Sequence, residues 1–286
     1  MAEPDLPPLR EVLARHGIQA RKALGQNFLL DGNLLRRIAR AAGDITACDV
    51  VEIGAGPGGL TRALLACGAR RLVAVERDPC CVAALEDLAR FYPDRLVVAA
   101  GDARTIDLHR FATAPYAIVG NLPFNVASPL IVDWLGRPAE IVALTVMVQR
   151  EVADRLTAER GVKDYGRLAV LAQWRWTARR LFDVPPRAFV PPPRVTASVV
   201  RLEPRPAPLA EADARSLQRV LAAAFGQRRK MLRSSLKSLG VPADALLAAA
   251  GIDPAFRAEV LTIPQFCALA RALAGYRARG LANGVT

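Results

Sequence analysis

The chain has 286 residues, 52% of them apolar, and carries 39 Lys/Arg against 27 Asp/Glu for a net charge of +12 at neutral pH. Such a length suits one large domain with a smaller companion, and no apolar run approaches the roughly 20 residues needed to cross a bilayer, which argues against a membrane protein. Five cysteines with no C-x-x-C pair speak for free, reduced thiols rather than a zinc or disulfide scaffold, and the positive excess makes nucleic acid the leading class of partner.

At the N-terminus, Glu3 and Asp5 stand among Pro4, Pro7 and Pro8, a pattern unlike a secretory or transit segment, so a cytoplasmic protein is expected. The stretch Lys22 to Leu29 precedes an amphipathic helix with Leu34, Leu35, Ile38 and Ala42 inward, Asp31 or Asn33 as its cap and Gly43 closing it. On its residues alone this element is packing. Between Ala47 and Val148, short β-branched runs alternate with helical stretches, as in a parallel sheet wrapped by helices.

The first run, Val50 to Ile53, enters Gly54-Ala55-Gly56-Pro57-Gly58-Gly59 and then a helix from Leu60 to Leu65. A strand, glycine loop and helix let the main chain approach a ligand closely. Taken alone, the pattern equally suits a nicotinamide dinucleotide or a tight turn with no ligand. Glu76 ends the second run, Leu72 to Glu76, 22 residues past Gly54, where an acid in these folds accepts hydrogen bonds from both ribose hydroxyls. A nucleoside ligand follows from that spacing. After the third run, Leu96 to Ala100, Asp102 is placed either to accept from an adenine amine or to cap a helix over Thr105 to Phe111.

The fourth run, Ala117 to Gly120, closes in Asn121-Leu122-Pro123-Phe124, and a fifth spans Ile141 to Val148. The stretch Asn121 to Phe124 resembles the Asn/Asp-Pro/Leu-Pro-aromatic signature of amino methyltransferases, which implies attack on a methyl carbon by an exocyclic amine such as adenine N6, whose lone pair is delocalised into the ring and attacks poorly. Two acceptors aimed at its hydrogens draw it towards a tetrahedral shape. The Asn121 side-chain oxygen and the Leu122 carbonyl suit that task, Pro123 adds no competing N–H, and Phe124 offers a face for the base. No metal is needed for such chemistry, and His16 and His109, the only histidines, lie outside these motifs as surface or structural residues. No metal site is expected.

Further on, Trp174 and Trp176 flank Arg175 in a pattern that fits a stacking surface or a half-buried strand, and Val195 to Leu202 alternates like an antiparallel strand near the sheet edge. Three prolines in Glu203 to Pro208 mark the domain boundary, giving a catalytic domain over 1–204 and a helical domain over 205–286. Twelve Lys/Arg against five Asp/Glu fall in that second part. Its helices are punctuated by Gly226, Gly240 and Gly251, with Pro264 suited to a first turn. If Gln227 to Leu239 is one helix, Arg229, Lys230, Arg233 and Lys237 share an arc of roughly 100° opposite Leu232, Leu236 and Leu239. Together with Arg228, these residues are expected to meet phosphates.

Six motifs in order carry a resemblance over nearly the whole chain: Leu24 to Leu29, Glu52 to Gly58, Asn121 to Phe124, Tyr165-Gly166-Arg167-Leu168, Phe189 to Val195, and Gln227-Arg228-Arg229-Lys230. The sequence resembles the small-subunit ribosomal RNA adenine dimethyltransferases. That resemblance implies an α/β fold, a Rossmann-like seven-stranded methyltransferase sheet with a smaller all-α C-terminal domain. It implies S-adenosyl-L-methionine as methyl donor and two adjacent adenines near the 3′ end of 16S rRNA, in the 30S subunit or its precursor, as substrate for a monomeric enzyme. It carries Asn27, Leu29, Gly54, Gly56, Glu76, Asp102 and Asn121 over as cofactor contacts, which reverses the packing reading of the N-terminal element. Phe189 becomes a candidate second stacking surface, with a core role as the alternative. Two departures, Phe124 where relatives usually have Tyr and Gln26-Asn27 where Gln-His is common, leave the chemistry intact. The competing readings are a resistance-type 23S rRNA adenine methyltransferase and a non-catalytic assembly factor on the same fold.

Overall fold

In the computed structural model, residues 4–21 and 25–282 are described, so Lys22, Ala23 and Leu24 lie outside the account. In chain order the elements are α1 (Leu9–Arg15), β1 (Phe28–Leu29), α2 (Gly32–Ala41), β2 (Asp49–Ile53), α3 (Gly59–Ala66), β3 (Arg71–Glu76), α4 (Pro79–Ala89), β4 (Leu96–Ala100), β5 (Tyr116–Asn121), α5 (Ala127–Leu135), β6 (Ile141–Gln149), α6 (Arg150–Thr157), α7 (Arg167–Arg175), β7 (Trp176–Val184), β8 (Phe189–Val190), β9 (Ala197–Pro204), α8 (Ala214–Gly226), α9 (Leu232–Ser235), α10 (Ala243–Ala250) and α11 (Ile263–Ala282). Two compact units result, one of residues 1–153 and 178–204, the other of 154–177 and 205–286. The segment 154–177, which the sequence pattern groups with the first part, joins the helical unit instead.

The first unit is built on a seven-stranded sheet in the order β4-β3-β2-β5-β6-β9-β7. The strands from β4 through β6 run parallel and β9 pairs antiparallel with β6, with Leu144 opposite Leu202 and Gln149 opposite Ala197. Parallel strands covered on both faces are buried along their length: β2 is buried at all five positions, two of them the acids Asp49 and Glu52, and β5 at every position but its last. The order reverses at β2: β3 and β4 lie on one side, β5 and β6 on the other. Loops leaving β2 and β5 therefore diverge at their C-terminal ends and open a crevice, the place where such sheets take ligands. Gly120 makes that pairing possible, because a Cβ there would stand 2.5 Å from the Ile53 carbonyl oxygen.

Beside this sheet, β1 and β8 form a two-stranded antiparallel ribbon, Phe28 opposite Val190 and Leu29 opposite Phe189. Helix α2 starts as expected at Asp31, whose side chain accepts from the N–H groups of Asn33 and Leu34. Between Thr105 and Phe111 there is no α-helix. Only a 3-10 turn over Leu108–Arg110 forms, capped by Asp107 rather than Asp102.

In the helical unit, Trp174 lies in the last turn of α7 and Trp176 begins β7, and both are buried, at 4% and 0% exposure. Neither indole offers a surface to a base. Trp174 instead donates from Nε1 to the Ala210 carbonyl. Helix α11 carries Pro264 in its first turn, and Gly240 and Gly251 close their elements in the left-handed region. The single helix expected over 227–239 is broken: α8 stops at Gly226, residues 227–231 turn, and only α9 and a 3-10 segment (Leu236–Leu239) follow. Extended backbone at Met231 restarts the chain, and the N–H groups of Leu232 and Arg233 go to the carbonyls of Phe256 and Pro254. Among the described residues no helix is long and apolar enough to cross a membrane, and no group of three or more His, Cys, Asp or Glu is placed to hold a metal.

Candidate active site

An open cavity of about 1150 Å³, part of it continuous with solvent, lies at the C-terminal ends of β2, β3, β4 and β5. Its floor is the glycine loop. Gly54 and Gly56 have positive φ angles of 71° and 56°, where a side chain would be strained, and their N–H groups donate to the Val75 carbonyl and to Glu76. Phe28 packs its ring over this loop, since a Cβ on Gly56 would lie 3.5 Å from it. Asn27 and Leu29, on the same strap, also line the cavity.

Glu76, at the end of β3 and 7% exposed, accepts from three backbone N–H groups: Gly56 on Oε2 at 2.8 Å, and Arg77 and Asp78 on Oε1 at 2.8 and 2.9 Å. A carboxylate offers about four acceptor sites, so one remains for a ribose hydroxyl, and a second hydroxyl would replace the Gly56 N–H. Asp102 lines the same cavity but is fully engaged. Arg104 grips it through Nε and Nη2, with 2.6 Å to the nearer oxygen, Arg104 N–H donates at 2.9 Å, and Arg77 adds a contact at 3.3 Å. The Arg104 guanidinium holds this carboxyl far below the usual carboxylate range. An adenine amine reaching Asp102 must displace Arg104, whose side chain is exposed.

On the opposite wall, the Asn121 side chain donates from Nδ2 to the Asn27 carbonyl at 3.2 Å. That bond uses one of the two Nδ2 hydrogens on the strap and holds the Asn121 amide, whose Oδ1 is an acceptor, in the cavity lining. Leu122 is 1% exposed and its N–H is pinned to the Met147 carbonyl at 3.1 Å, which fixes the turn that presents its own carbonyl. Pro123 stands close to Gly54, so the two loops form adjoining walls, and half-buried Phe124 belongs to the same lining.

Sequence reasoning missed several residues here. Glu52, in the middle of β2, is 1% exposed at the cavity wall and bonds the Thr61 hydroxyl at 2.6 Å. Burial, reinforced by the nearby Glu76 charge, pushes its carboxyl up to about 8 even though the Thr61 bond opposes the shift. An acid inside the run Val50 to Ile53 was the available signal. Gln26 ties the strap to the cap of α4 by donating to Asp78 at 2.9 Å, a long-range contact with no local signature.

Two expectations need correction. Phe189 is 2% exposed within the apolar core, in register with Leu29, and does not line the cavity; pairing of β8 with β1 turns it inward. Arg228 is a structural clamp rather than a free cation, since it pairs with Glu259 at 3.2 Å and donates to the carbonyls of Lys163 and Val162. By contrast Arg229, Lys230, Arg233 and Lys237 are exposed, and among the described residues no carboxylate pairs with them.

Comparison with known proteins places this geometry in context. The family model described as ribosomal RNA adenine dimethylase matches residues 17–275. The chain is 56% identical over 268 residues to a Rhodospirillum rubrum protein named ribosomal RNA small subunit methyltransferase A, covering 94% of this chain and 93% of that one. A protein of the same name from Mesorhizobium japonicum is 57% identical, with 92% and 97% covered. Among solved structures, a dimethyladenosine transferase from Plasmodium falciparum superposes with a TM-score of 0.75 at 22% identity, covering 88% of this chain and 98% of that one, a likeness of fold. The 23S rRNA methyltransferase ErmE gives 0.65 at 28% identity, with 87% and 100% covered.

Proposed function

The chain belongs to the ribosomal RNA adenine dimethylase family, and on that premise we propose that it transfers methyl groups from S-adenosyl-L-methionine to N6 of two adjacent adenines near the 3′ end of 16S rRNA, in the 30S subunit or its precursor, yielding N6,N6-dimethyladenosine. The observation that carries this reading is the meeting, at one switch point of the sheet, of an acid suited to a ribose with an Asn-Leu-Pro-Phe turn suited to an exocyclic amine. Similarity at 56–57% identity to proteins named for the small subunit favours that substrate over 23S rRNA, for which the likeness to ErmE stands at 28%. A non-catalytic role has no support from a site with all of these groups in place.

The residues fit the donor. Asn27 and Leu29 on the strap, Gly54 and Gly56 in the loop, Glu76 and Asp102 at the strand ends and Asn121 all line one cavity. When bound, the donor supplies a methyl group already activated on a sulfonium, so the protein's task is alignment. The amide of Asn121, oriented by the Asn27 carbonyl, accepts one N6 hydrogen, and the Leu122 carbonyl accepts the other. Phe124 covers a face of the flipped adenine, a contact worth roughly 1 to 3 kcal/mol that offsets part of its unstacking. Alkylation makes the amine acidic, and its proton passes to water, so no strong base is required. The sheet unit thus holds cofactor and base, while the helical unit holds RNA through Arg229, Lys230, Arg233 and Lys237. Action in the cytoplasm follows from that substrate.

The test is incubation of the purified protein with methyl-labelled S-adenosyl-L-methionine and unmethylated ribosomal subunits. Label is expected in small-subunit RNA. Label confined to the large subunit would overturn the assignment.

A further inference from the structure

We propose that Phe256, with Met231 beside it, is a nucleobase-contacting platform set within the basic surface of the helical unit, so that RNA is held there by stacking as well as by phosphate contacts. The inference rests on the reading of this chain as an RNA-modifying enzyme and adds a second kind of contact to it.

Ten large apolar side chains are exposed among the described residues, and four of them, Val162, Met231, Phe256 and Val260, fall on three segments that are bonded to one another. Leu232 N–H donates to the Phe256 carbonyl at 2.8 Å and Arg233 N–H to the Pro254 carbonyl at 3.2 Å, which sets 231–233 against 254–256. Arg228 and the Gly161 N–H join 161–163 to Glu259 in the same way. Scattered exposed apolar residues are ordinary, but a gathering of four on joined segments calls for a partner.

Charge selects the partner. Flanking Phe256, which is 42% exposed, and Met231, at 39%, along these joined segments are Arg229, Lys230, Arg233 and Arg257, all exposed and none paired with a carboxylate among the described residues. Of the acids on these segments, Glu259 is paired with Arg228, and the exposed Asp253 accepts from the Ala255 N–H at 2.8 Å, leaving the cations in excess. Aromatic and apolar faces interleaved with unpaired cations match a nucleic acid whose bases are accessible, where the ring takes a base and the cations take phosphates. The Phe256 N–H donates to the Asp253 carbonyl at 3.1 Å and its carbonyl accepts from Leu232, so the ring stands on a backbone fixed before any ligand arrives. Little ordering cost is then added on binding.

Stacking and counterion release differ in their response to salt, and that difference makes the test. The full-length protein is titrated with protein-free, unmethylated small-subunit RNA at several salt concentrations, comparing wild type, Phe256→Ala, Phe256→Trp and a variant with Arg229, Lys230, Arg233 and Lys237 all changed to Ala, each checked for folding by circular dichroism. The expected result for Phe256→Ala is a Kd raised roughly 5- to 150-fold at every salt concentration, with the salt slope unchanged. Phe256→Trp should keep the affinity, and the added indole emission should be quenched by RNA, because Trp134, Trp174 and Trp176 are buried and form a constant background. An unchanged Kd for Phe256→Ala overturns the platform. So does a loss seen only with ribosomal particles, which would mark the patch as a contact for ribosomal protein. If the charge variant alone weakens binding, the RNA-binding reading stands and only the platform falls; if neither variant affects binding, both fall.

Discussion

A carboxyl group buried in a parallel strand is costly to ionise, and Glu52 answers that cost by holding its proton to higher pH, with the Thr61 hydroxyl bonded to it. The sign of its effect on stability follows. Below its ordinary value near 4.5 both folded and unfolded chains hold the proton; between there and about 8 only the folded chain does, so this group's stabilising contribution is lost as pH rises through that window. Glu52→Gln should therefore remove a pH-dependent decline: in urea melts of the ligand-free protein from pH 5 to pH 8, the variant should gain on wild type steadily. Parallel stability curves would show that Glu52 ionises normally. Glu76, at the end of β3, accepts from three N–H donors and organises the glycine loop it bonds. Charge-assisted bonds contribute about 1.5 to 3 kcal/mol, so Glu76→Ala should weaken binding of S-adenosyl-L-methionine by roughly tenfold or more in calorimetry, and unchanged affinity in a folded variant would remove Glu76 from the site.

At the scale of elements, the basic segment after α8 makes a separate prediction. Arg229, Lys230, Arg233 and Lys237 are divided between a turn, α9 and the 3-10 segment that follows it, yet all four remain exposed and unpaired among the described residues. If each meets a phosphate, removing all four should lower the slope of log affinity against log salt by roughly 3 to 4 units, at about 0.9 per contact on a duplex. A solvated face with no RNA role would leave the slope untouched. Elements whose partners are local were legible beforehand: β2, β3, β4 and β5 announced themselves as short apolar runs, and Asp31 and Gly43 bracketed α2. What escaped depends on distant partners. The break before α9 is stabilised by carbonyls more than twenty residues away, at Pro254 and Phe256, and the inward turn of Phe189 is set by β1 at the other end of the sheet unit. Helical periodicity across 227–239 was real, but Gly226 ends one helix and extended backbone at Met231 starts another, so periodicity outran continuity.

Over the whole molecule, the candidate site was largely readable because its parts sit at strand ends, where a glycine loop, an acid and a proline-bearing turn each leave a mark in the sequence. Its internal wiring was not. Nothing local in the chain says that Asn27 orients Asn121 or that Arg228 clamps Glu259 instead of facing RNA. The grouping of 154–177 with the helical unit likewise depends on contacts made far along the chain, such as the Tyr165 hydroxyl bonded to the Leu261 carbonyl.

The central claim is that the cavity between the β2 and β5 loops dimethylates adenine in small-subunit RNA, and nucleoside mass spectrometry tests it most directly. Unmethylated small subunits are incubated with S-adenosyl-L-methionine and either the wild-type protein or Asn121→Ala, and the RNA is then digested to nucleosides. The account predicts N6,N6-dimethyladenosine at up to two residues per subunit with wild type and little or none with Asn121→Ala in a folded variant that still binds the small subunit. Absence of the dimethylated nucleoside with wild type, or its undiminished formation by Asn121→Ala, would contradict it.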